Sequence, residues 1–452
     1  MKQRVEHDSM GEVLVPEMRS WGAQTQRSLE NFPIGQEKMP RQILAAFALL
    51  KKAAALANRD FGKISAEKCE AINRVCREII QGELWEEFPL SVWQTGSGTQ
   101  SNMNINEVIA HRAGQWGQRL HPNDDVNCSQ SSNDTFPTAM YIAAVRAVRE
   151  RVLPALVSLA DTFEKHAENY RDLIKIGRTH LQDATPITFG QEISGWASLL
   201  RHEEQMLKMM TPQLEELAIG GTAVGTGLNA PPKFGERVCA YLRQETGYSF
   251  HSANNKFQAL SGKNAILAVH GILHSLAADL LKIANDLRWL ASGPRAGLGE
   301  IVLPENEPGS SIMPGKVNPT QCEALAMVCI QVMGNQTAIG FAASQGNFEL
   351  NVYMPVIAYN FLQSAELLSD AMTSFRIRCV EGMHPDSEKM QENVERSLML
   401  VTALSPHIGY EKAADLAQYA HKNRTTLRHA VEKLGYLSLE EFDAWTDPQS
   451  MV

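Results

Sequence analysis

The hydrophobic residues of this chain recur mainly at three- and four-residue spacing, the pattern of amphipathic helices. Residues 41–60 show it most clearly, because alanine, the strongest helix former, fills many positions of RQILAAFALLKKAAALANRD. The same spacing predicts further long helices over residues 138–170, 190–217, 260–292, 319–344 and 355–380. Alternating strand patterns with hairpin turns are scarce, so the sequence predicts an all-α fold.

These predicted helices are long and poor in polar surface. Helices of about 25 to 30 residues would be about 40 Å long, a length typical of a bundle of long helices. Residues 267–281, LAVHGILHSLAADLL, offer little polar surface on any side. Such a helix is normally buried inside a larger assembly, although it could also be the central helix of a single-chain bundle. Because several helices share this property, we expect a homo-oligomer.

The length of the chain predicts more than one domain. At 452 residues it exceeds what one ordinary hydrophobic core accommodates. From about residue 385 the helical pattern becomes shorter and more polar. We expect an N-terminal helical domain (residues 1–130), a central domain of long helices (131–384) and a small C-terminal helical domain (385–452).

Composition excludes several classes of protein. Hydrophobic residues at 44% and charged residues at 21% are typical of a globular chain, and the net charge of −9 gives no reason to expect a nucleic-acid partner. The seven cysteines form no C-x-x-C pair, which argues against a disulfide framework, zinc or an iron–sulfur cluster. The charged N-terminus does not resemble a secretory signal, and no apolar run approaches the ~20 residues that span a bilayer. We expect a cytoplasmic protein with no metal, no cofactor and no membrane partner.

Residues 309–320, GSSIMPGKVNPT, look at first like a phosphate-binding loop. That loop needs four residues between its glycines and a Ser or Thr after the lysine. Here five residues separate Gly309 from Gly315, and Val317 follows Lys316. Pro314 also removes one backbone donor. The nucleotide interpretation therefore fails.

The same stretch suits a smaller anion. Asn318 and Pro319 resemble a helix start, which places the loop at the positive end of a helix dipole. Lys316 adds a full charge, and Ser310 and Ser311 add hydroxyl donors. This combination favours a carboxylate or an anionic intermediate. The alternative is an ordinary capped loop with a solvated lysine.

Several separate stretches resemble one enzyme superfamily. GSSIMPGKVNPTQCEA resembles the signature of the fumarase/aspartase superfamily, and TGSGTQSNMNINEV, GRTHLQDATP, HPNDDVN and SQSSNDTFPTAM resemble further conserved regions of it. The closing LVTALSPHIGYEKAADLAQYAHK is similar to the fumarase C-terminal domain. The form G-K-V-N-P narrows the resemblance to fumarases and aspartases, and His180, where aspartases typically have Gln, favours class II fumarases. TQCEAL after the signature is also the fumarase form.

The resemblance implies a metal-independent enzyme of the tricarboxylic acid cycle. It would add water reversibly and anti to fumarate, giving (S)-malate through an aci-carboxylate carbanion. Aspartate ammonia-lyase and an inactive, crystallin-like structural relative are the alternatives.

The resemblance also assigns roles to residues. Ser310 would be the base, and Lys316 and Asn318 would stabilise the charge that develops on the substrate. His180 would protonate the departing hydroxyl through a water, and Glu323 would orient and polarise His180.

Two groups of binding residues complete the expected site. The residues implied to hold the substrate carboxylates and hydroxyl are Ser97, Gly98, Thr99, Asn104, Ser131, Ser132, Asn133, Thr179, Ser311, Lys316, Val317 and Asn318. A second dicarboxylate site is implied at His121, Pro122, Asn123 and Asp124, although Gln118 stands where the family pattern has an arginine. The resemblance further implies a homotetramer whose active sites are shared between subunits, with small dicarboxylates (fumarate and malate) as its other partners. The glycine-rich residues 220–227 lack the strand and lysine of a nucleotide loop and would help to build the pocket.

Overall fold

Residues 2–452, which the computed structural model describes, are predominantly helical, and the all-α prediction is confirmed. The α-helices are α1 (Ala23–Asn31), α2 (Arg41–Asp60), α3 (Ala66–Gln81), α4 (Thr99–Gly114), α5 (Ser132–Ala147), α6 (Leu153–Asn169), α7 (Phe189–Met210), α8 (Phe234–Thr246), α9 (Lys256–Ser261), α10 (Asn264–Leu290), α11 (Thr320–Ala343), α12 (Met354–Phe375), α13 (Ser387–Arg396), α14 (Ser405–Ile408), α15 (Tyr410–Lys422), α16 (Leu427–Leu434) and α17 (Leu439–Trp445).

The predicted long helices agree with these bounds and differ from them at identifiable residues. Helix α2 has the predicted limits. The helix predicted over 138–170 is α5 and α6, joined by a π-helical turn at Val148–Val152. Pro154, which has no N–H to continue the α-helical ladder, is the second residue after this turn. The helix predicted from residue 260 begins at Asn264, because the backbone at Gly262 is extended and ends α9.

Short strands form four pairs that the periodicity did not predict. They are β1 (Gln3–Asp8) with β2 (Gly11–Pro16), β3 (Ile174–Thr179) with β4 (Gln182–Thr188), β5 (Glu216–Leu217) with β6 (His251–Ser252), and β7 (Ile301–Val302) with β8 (His384–Pro385). The β5–β6 pair is parallel and the others are antiparallel. The β3–β4 hairpin matters most for function, since it carries His180 between its strands.

The chain divides into two compact units. The first contains the residues through Pro154 together with Glu203–Ala277 and Val328–Ser369. The second contains Ala155–His202, Ala278–Met327 and Asp370–Val452. The division into three domains along the sequence stays a prediction.

In the first unit, α2 is the central element. It contacts α3, α5 and α8, and most of its residues are buried. Phe47 of α2 packs edge-on against Phe136 of α5 with ring centroids 5.7 Å apart. Helix α2 therefore packs against α5 and supports that helix and the loop before it.

In the second unit, the C-terminal helices share a core with the β3–β4 hairpin. Leu404, Leu416, Val431 and Phe442 belong to one buried apolar cluster, and Ile176 of β3 belongs to it as well. The β3–β4 hairpin is thus held in place by its packing against the C-terminal helices.

Two helices are long and apolar enough to cross a membrane, so the prediction that no such run exists is wrong. They are α10 and α11, and 50% and 33% of their most apolar stretches are buried. Core helices pass the same test of length and composition. In α10, His270 is fully buried and bonds Gln336 of α11 and Ser364 of α12, which is typical of a helix packed within protein.

Candidate active site

The loop at residues 309–318 is folded back on itself by its own backbone and side chains. The N–H of Gly309 donates to the carbonyl of Lys316 (2.9 Å), and the amide of Asn318 donates to the carbonyl of Gly309 (2.6 Å). A Cβ on Gly309 would lie 2.3 Å from the Lys316 carbonyl oxygen, so only glycine fits there. Gly315 has φ of +78°, a backbone conformation that glycine adopts without strain.

Ser310 receives hydrogen bonds inside this loop. Its Oγ accepts from the backbone N–H groups of Ile312 (3.2 Å) and Met313 (3.0 Å). Donors aimed at an oxygen favour its negatively charged form. The two N–H groups therefore assist the ionisation of a hydroxyl that is otherwise a weak base.

Positive charge surrounds the same loop. Lys316 is exposed, and its Nζ donates to Oδ1 of Asn318. Helix α11 begins immediately after Pro319, one residue later than predicted, and runs for 24 residues. The loop therefore lies at the positive end of a long helix dipole, as the sequence indicated. Ser311 and Val317 lie exposed along the loop.

His180 occupies the tip of the β3–β4 hairpin. Thr179 pairs with Gln182, which leaves His180 and Leu181 as a two-residue turn with φ of 55° and 59°. Turns with two positive φ angles match the twist of a hairpin but are normally made by Gly, Asn or Asp. Thr179 and His180 are both exposed, so the turn presents them to solvent.

A buried ionic cluster supports the base of this hairpin. Arg178 donates two hydrogen bonds to the carboxylate of Glu300 (3.0 and 2.5 Å), and Lys175 lies 3.2 Å from the same carboxylate. Asn393 of α13 donates a further bond to it (2.9 Å). Glu300 is fully buried. Burial alone would raise its pKa, but the hydrogen bond from Arg178 and the charges of Lys175 and Arg178 lower it overall.

The expected acid and base are not joined within the chain. No hydrogen bond links His180 to Ser310 or to Glu323 among residues 2–452, and the Glu323 side chain is exposed.

The first unit holds the expected substrate-binding residues of the 93–107 stretch. Ser97 and Thr99 share a hydrogen bond between their hydroxyls (2.8 Å) at the start of α4. Gly98 has φ of +73°, and a Cβ there would lie 2.0 Å from the Phe136 ring, so glycine is required. Asn104 points elsewhere: it is buried and donates to the backbone carbonyl of Glu87 (3.0 Å).

Ser131, Ser132 and Asn133 open helix α5. Ser131 Oγ accepts from the N–H of Asn133 (3.2 Å), and the N–H of Ser131 donates to Asp134 (2.9 Å), which completes a capping box. The amide of Asn133 reaches the carbonyl of Ala223 (2.8 Å) in the glycine-rich stretch.

Asp134 ties that glycine-rich stretch to the same helix. Its second oxygen accepts from the N–H groups of Gly220 (3.0 Å) and Thr222 (2.9 Å). Burial raises the pKa of Asp134 to about 6, against the lowering effect of these N–H donors. Residues 220–227 thus lie beside the predicted substrate-binding residues.

The expected second site lies along a cavity of about 560 Å³ in the first unit. His121, Pro122 and Asn123 line it together with Arg4 and His111. His121 caps a π-helical turn (Pro122–Val126) by accepting from the N–H of Asp124 (3.1 Å), and Asp124 itself is exposed and does not line the cavity. Three acidic side chains, Glu6, Asp8 and Glu107, line the same cavity, so its lining carries both signs of charge.

Sequence reasoning missed three residues that hold the expected site in place. They are Glu300 beneath the His180 hairpin, and Lys51 and Asn102 beneath the Ser131–Asn133 loop. Among the described residues, no group of three or more His, Cys, Asp or Glu side chains is arranged to hold a metal ion.

Comparisons with known proteins agree on one family. A family model described as "Lyase" matches residues 11–334, and one described as "Fumarase C C-terminus" matches residues 400–452. A relative from Bacillus subtilis, named fumarate hydratase class II, is 60% identical over 458 residues, covering 100% of this chain and 99% of its own. A relative of the same name from Helicobacter pylori is 58% identical over 459 residues, with the same coverage.

A solved structure extends the agreement to three dimensions. The crystal structure of a recombinant class II fumarase from Schistosoma mansoni matches with a TM-score of 0.97 at 46% identity, covering 100% of this chain and 99% of that one. Identity of this extent over the full length shows more than a shared fold. The chain belongs to the class II fumarate hydratase family.

Proposed function

We propose that this protein catalyses the reversible anti addition of water to fumarate, giving (S)-malate. The loop at residues 309–318 carries the proposal within the family. It carries a serine oxygen that receives two N–H bonds and a lysine, and it leads into the N-terminal end of a 24-residue helix.

The chemistry explains why such a loop is needed. Malate dehydration removes a proton beside a carboxylate, which forms a dianionic aci-carboxylate, and expels hydroxide from the neighbouring carbon. Stabilising that developing charge is the largest requirement. In this proposal Ser310 takes the proton, while Lys316, Asn318 and the end of α11 stabilise the dianion.

Protonation of the leaving hydroxyl falls to His180. Histidine is the most frequent general acid near neutral pH, and the hairpin tip presents the imidazole to solvent, where a water can relay the proton. Glu323, exposed on the first turn of α11, orients and polarises this histidine in the assembled enzyme.

Hydroxyl and amide groups hold the substrate. The proposed binding residues are Ser97, Gly98, Thr99, Ser131, Ser132, Asn133, Thr179, Ser311 and Val317. Asn104 stays in this set as a prediction, although its amide is engaged with Glu87. The cavity at His121–Asn123 is proposed as a second dicarboxylate site.

We propose that the enzyme is a homotetramer. Met327, Ile330 and Phe341 lie on one face of α11 and are 66%, 61% and 70% exposed in the single chain. An exposed apolar face of this length marks an interface, and its proposed occupant is another copy of the chain. The same assembly would bring His180 and Ser310 stretches of different subunits together.

The function is tested by following fumarate absorbance with malate and, separately, with aspartate as substrate. We expect turnover of malate and none of aspartate, and the same rate after treatment with EDTA. Turnover of aspartate alone would identify an ammonia-lyase. A well-folded protein that converts neither substrate would support a structural role.

The shared site is tested by complementation. His180→Ala and Ser310→Ala enzymes, each inactive alone, are unfolded, mixed equally and refolded together. If one pocket draws these residues from different chains, random assembly leaves both intact in about a quarter of sites. Activity near zero, with mixed tetramers confirmed by mass spectrometry, would place both residues of a site on one chain.

A further inference from the structure

Helix α2 buries a lysine that the reaction does not use. Lys51 is fully buried among the alanines of α2, and its Nζ donates to Oδ1 of Asn127 (2.9 Å) and Oε1 of Gln130 (3.0 Å). Burial lowers its pKa to about 7, and the charge of Asp134 offsets this only in part. Burying an amine whose only hydrogen-bond partners are neutral amides costs free energy of folding, so we expect Lys51 to have a role beyond packing.

The hydrogen bonds of Lys51 lead toward the substrate-binding loop. Oδ1 of Asn127 also accepts from the amides of Asn102 (3.1 Å) and Asn106 (3.3 Å) on α4. The amide of Asn102 in turn reaches Oγ of Ser132 (3.4 Å). A continuous chain of polar contacts therefore joins a buried cation on α2 to a proposed substrate ligand.

Lys51 fixes the direction of this chain. Both contacts are donated by its Nζ, so Asn127 and Gln130 turn their oxygens toward the lysine. The Thr135 hydroxyl is shared between the oxygen of Asn102 (3.1 Å) and the carbonyl of Ser131 (2.8 Å). Asn102 is oriented as well, because its NH₂ group faces Asn127 and Ser132 and its oxygen faces this hydroxyl. When Ser132 Oγ accepts from Asn102, its own O–H is free to donate to a carboxylate.

A second set of contacts holds the same loop. Asn58, also on α2, donates to the carbonyl of Cys128 (2.8 Å) and accepts from Ser129 (2.7 Å). Ser129 has φ of +61°, a conformation that costs free energy and persists only where the surroundings impose it. The side chain of Gln130 donates to the carbonyls of Val126 (3.1 Å) and Cys128 (2.9 Å). The loop before Ser131 is therefore built around side chains rather than around regular secondary structure.

We infer that Lys51 is a positioning residue for substrate binding. Through Asn127 and Gln130 it sets the course of the loop that enters Ser131–Asn133, and through Asn102 it turns the hydroxyl of Ser132 outward as a donor. It does not touch the substrate itself. The inference rests on the proposed function, in which Ser131, Ser132 and Asn133 bind a carboxylate.

The test compares Lys51→Met with Lys52→Met. Both replace a lysine of α2, but Lys52 pairs with Glu245 (2.7 Å) at the surface and lies outside the polar chain. We measure kcat and KM for malate, binding of succinate (an unreactive four-carbon dicarboxylate) by calorimetry, and the melting temperature. Lys51→Met should raise KM and the succinate Kd at least tenfold, with kcat changed less than threefold. Lys52→Met should leave KM, the succinate Kd and kcat near their wild-type values.

Asn102→Ala provides a second variant that leaves Lys51 paired with Asn127 and Gln130. It should weaken succinate binding in the same way, and it decides the matter if Lys51→Met does not fold. The inference is overturned if the folded variants bind succinate like wild type. It is also overturned if only kcat falls, because a smaller fraction of active enzyme would explain that result. A wild-type enzyme that binds succinate without converting malate would contradict the proposed function instead, and the calorimetric comparison would still test Lys51.

Discussion

Glu300 offers the sharpest test of how the His180 hairpin is supported. Its carboxylate is fully buried, accepts hydrogen bonds from Arg178 and Asn393, and lies 3.2 Å from Nζ of Lys175. Glu300→Gln keeps the shape of the side chain and removes the negative charge. The substitution leaves Arg178 without its carboxylate partner, whereas Lys175 retains Glu192 (2.7 Å).

The structure sets the size of the expected effect. Removing one partner of a buried ion pair costs about 3–5 kcal/mol, because the remaining charge is left uncompensated. Since Lys175 keeps a partner, we expect the lower end, about 3 kcal/mol. Glu192→Gln is the matched control: it removes the carboxylate that is 24% exposed from the same lysine and should cost about 1 kcal/mol or less.

The assay is urea denaturation at pH 7, with kcat and KM for malate measured on the folded variants. Glu300→Gln should also lower kcat, because the hairpin that presents His180 loses its anchor. The charge of Glu300 stabilises the fold above its ordinary pKa of 4.5 and ceases to do so as pH falls through its lowered pKa. The difference from wild type should therefore shrink below pH 4.5. Equal costs for Glu300→Gln and Glu192→Gln would refute the view that the buried cluster supports the hairpin.

Two further predictions concern catalysis and pH. Ser310→Ala should abolish malate turnover, a loss of several kcal/mol in transition-state stabilisation at about 1.4 kcal/mol per tenfold of rate, with an unchanged melting temperature; near-normal turnover would show that another group takes the proton. His270 is buried between Gln336 and Ser364, and burial lowers its pKa from 6.5 to about 4. Because the unfolded chain then binds the proton first, wild type should lose about 3 kcal/mol as pH falls from 6.5 to 4, and His270→Gln should lose less; identical pH dependence in urea unfolding would contradict this.

The sequence by itself determined the helices and motifs that depend only on residues close together along the chain. Helix α2 has its predicted limits, because its apolar spacing and alanine content act within about five turns of chain. Ser310, Lys316 and Asn318 could be proposed together as site residues, since all three lie in one contiguous stretch that resembles the family signature. The family itself was evident from several such stretches, and the comparisons confirm it.

Tertiary structure decided where individual side chains of those stretches lie. Two lysines stand side by side in α2, and the sequence gives no reason to bury one and expose the other. Packing against α4 and the 127–130 loop places Lys51 in the interior, while Lys52 reaches Glu245 at the surface. Asn102 and Asn104 differ in the same way. The sequence predicts Asn104 at the substrate, but Asn102 is the residue that contacts Ser132, while Asn104 contacts Glu87. Residues two apart on a helix point about 200° away from each other, so only one of the two can face Ser132.

The support of His180 depends on partners that are distant in sequence. Glu300 lies 122 residues from Arg178 and 93 from Asn393, so no window of the sequence contains the cluster. The short strands β3 and β4 likewise pack, through Ile176, on a cluster made by the distant C-terminal helices. Local patterns therefore determined the helices and the chemical motifs of this protein. Which side chains hold those motifs in place was decided only when remote segments folded onto one another. Buried charges and amides need hydrogen-bond partners, and these partners come from distant parts of the chain.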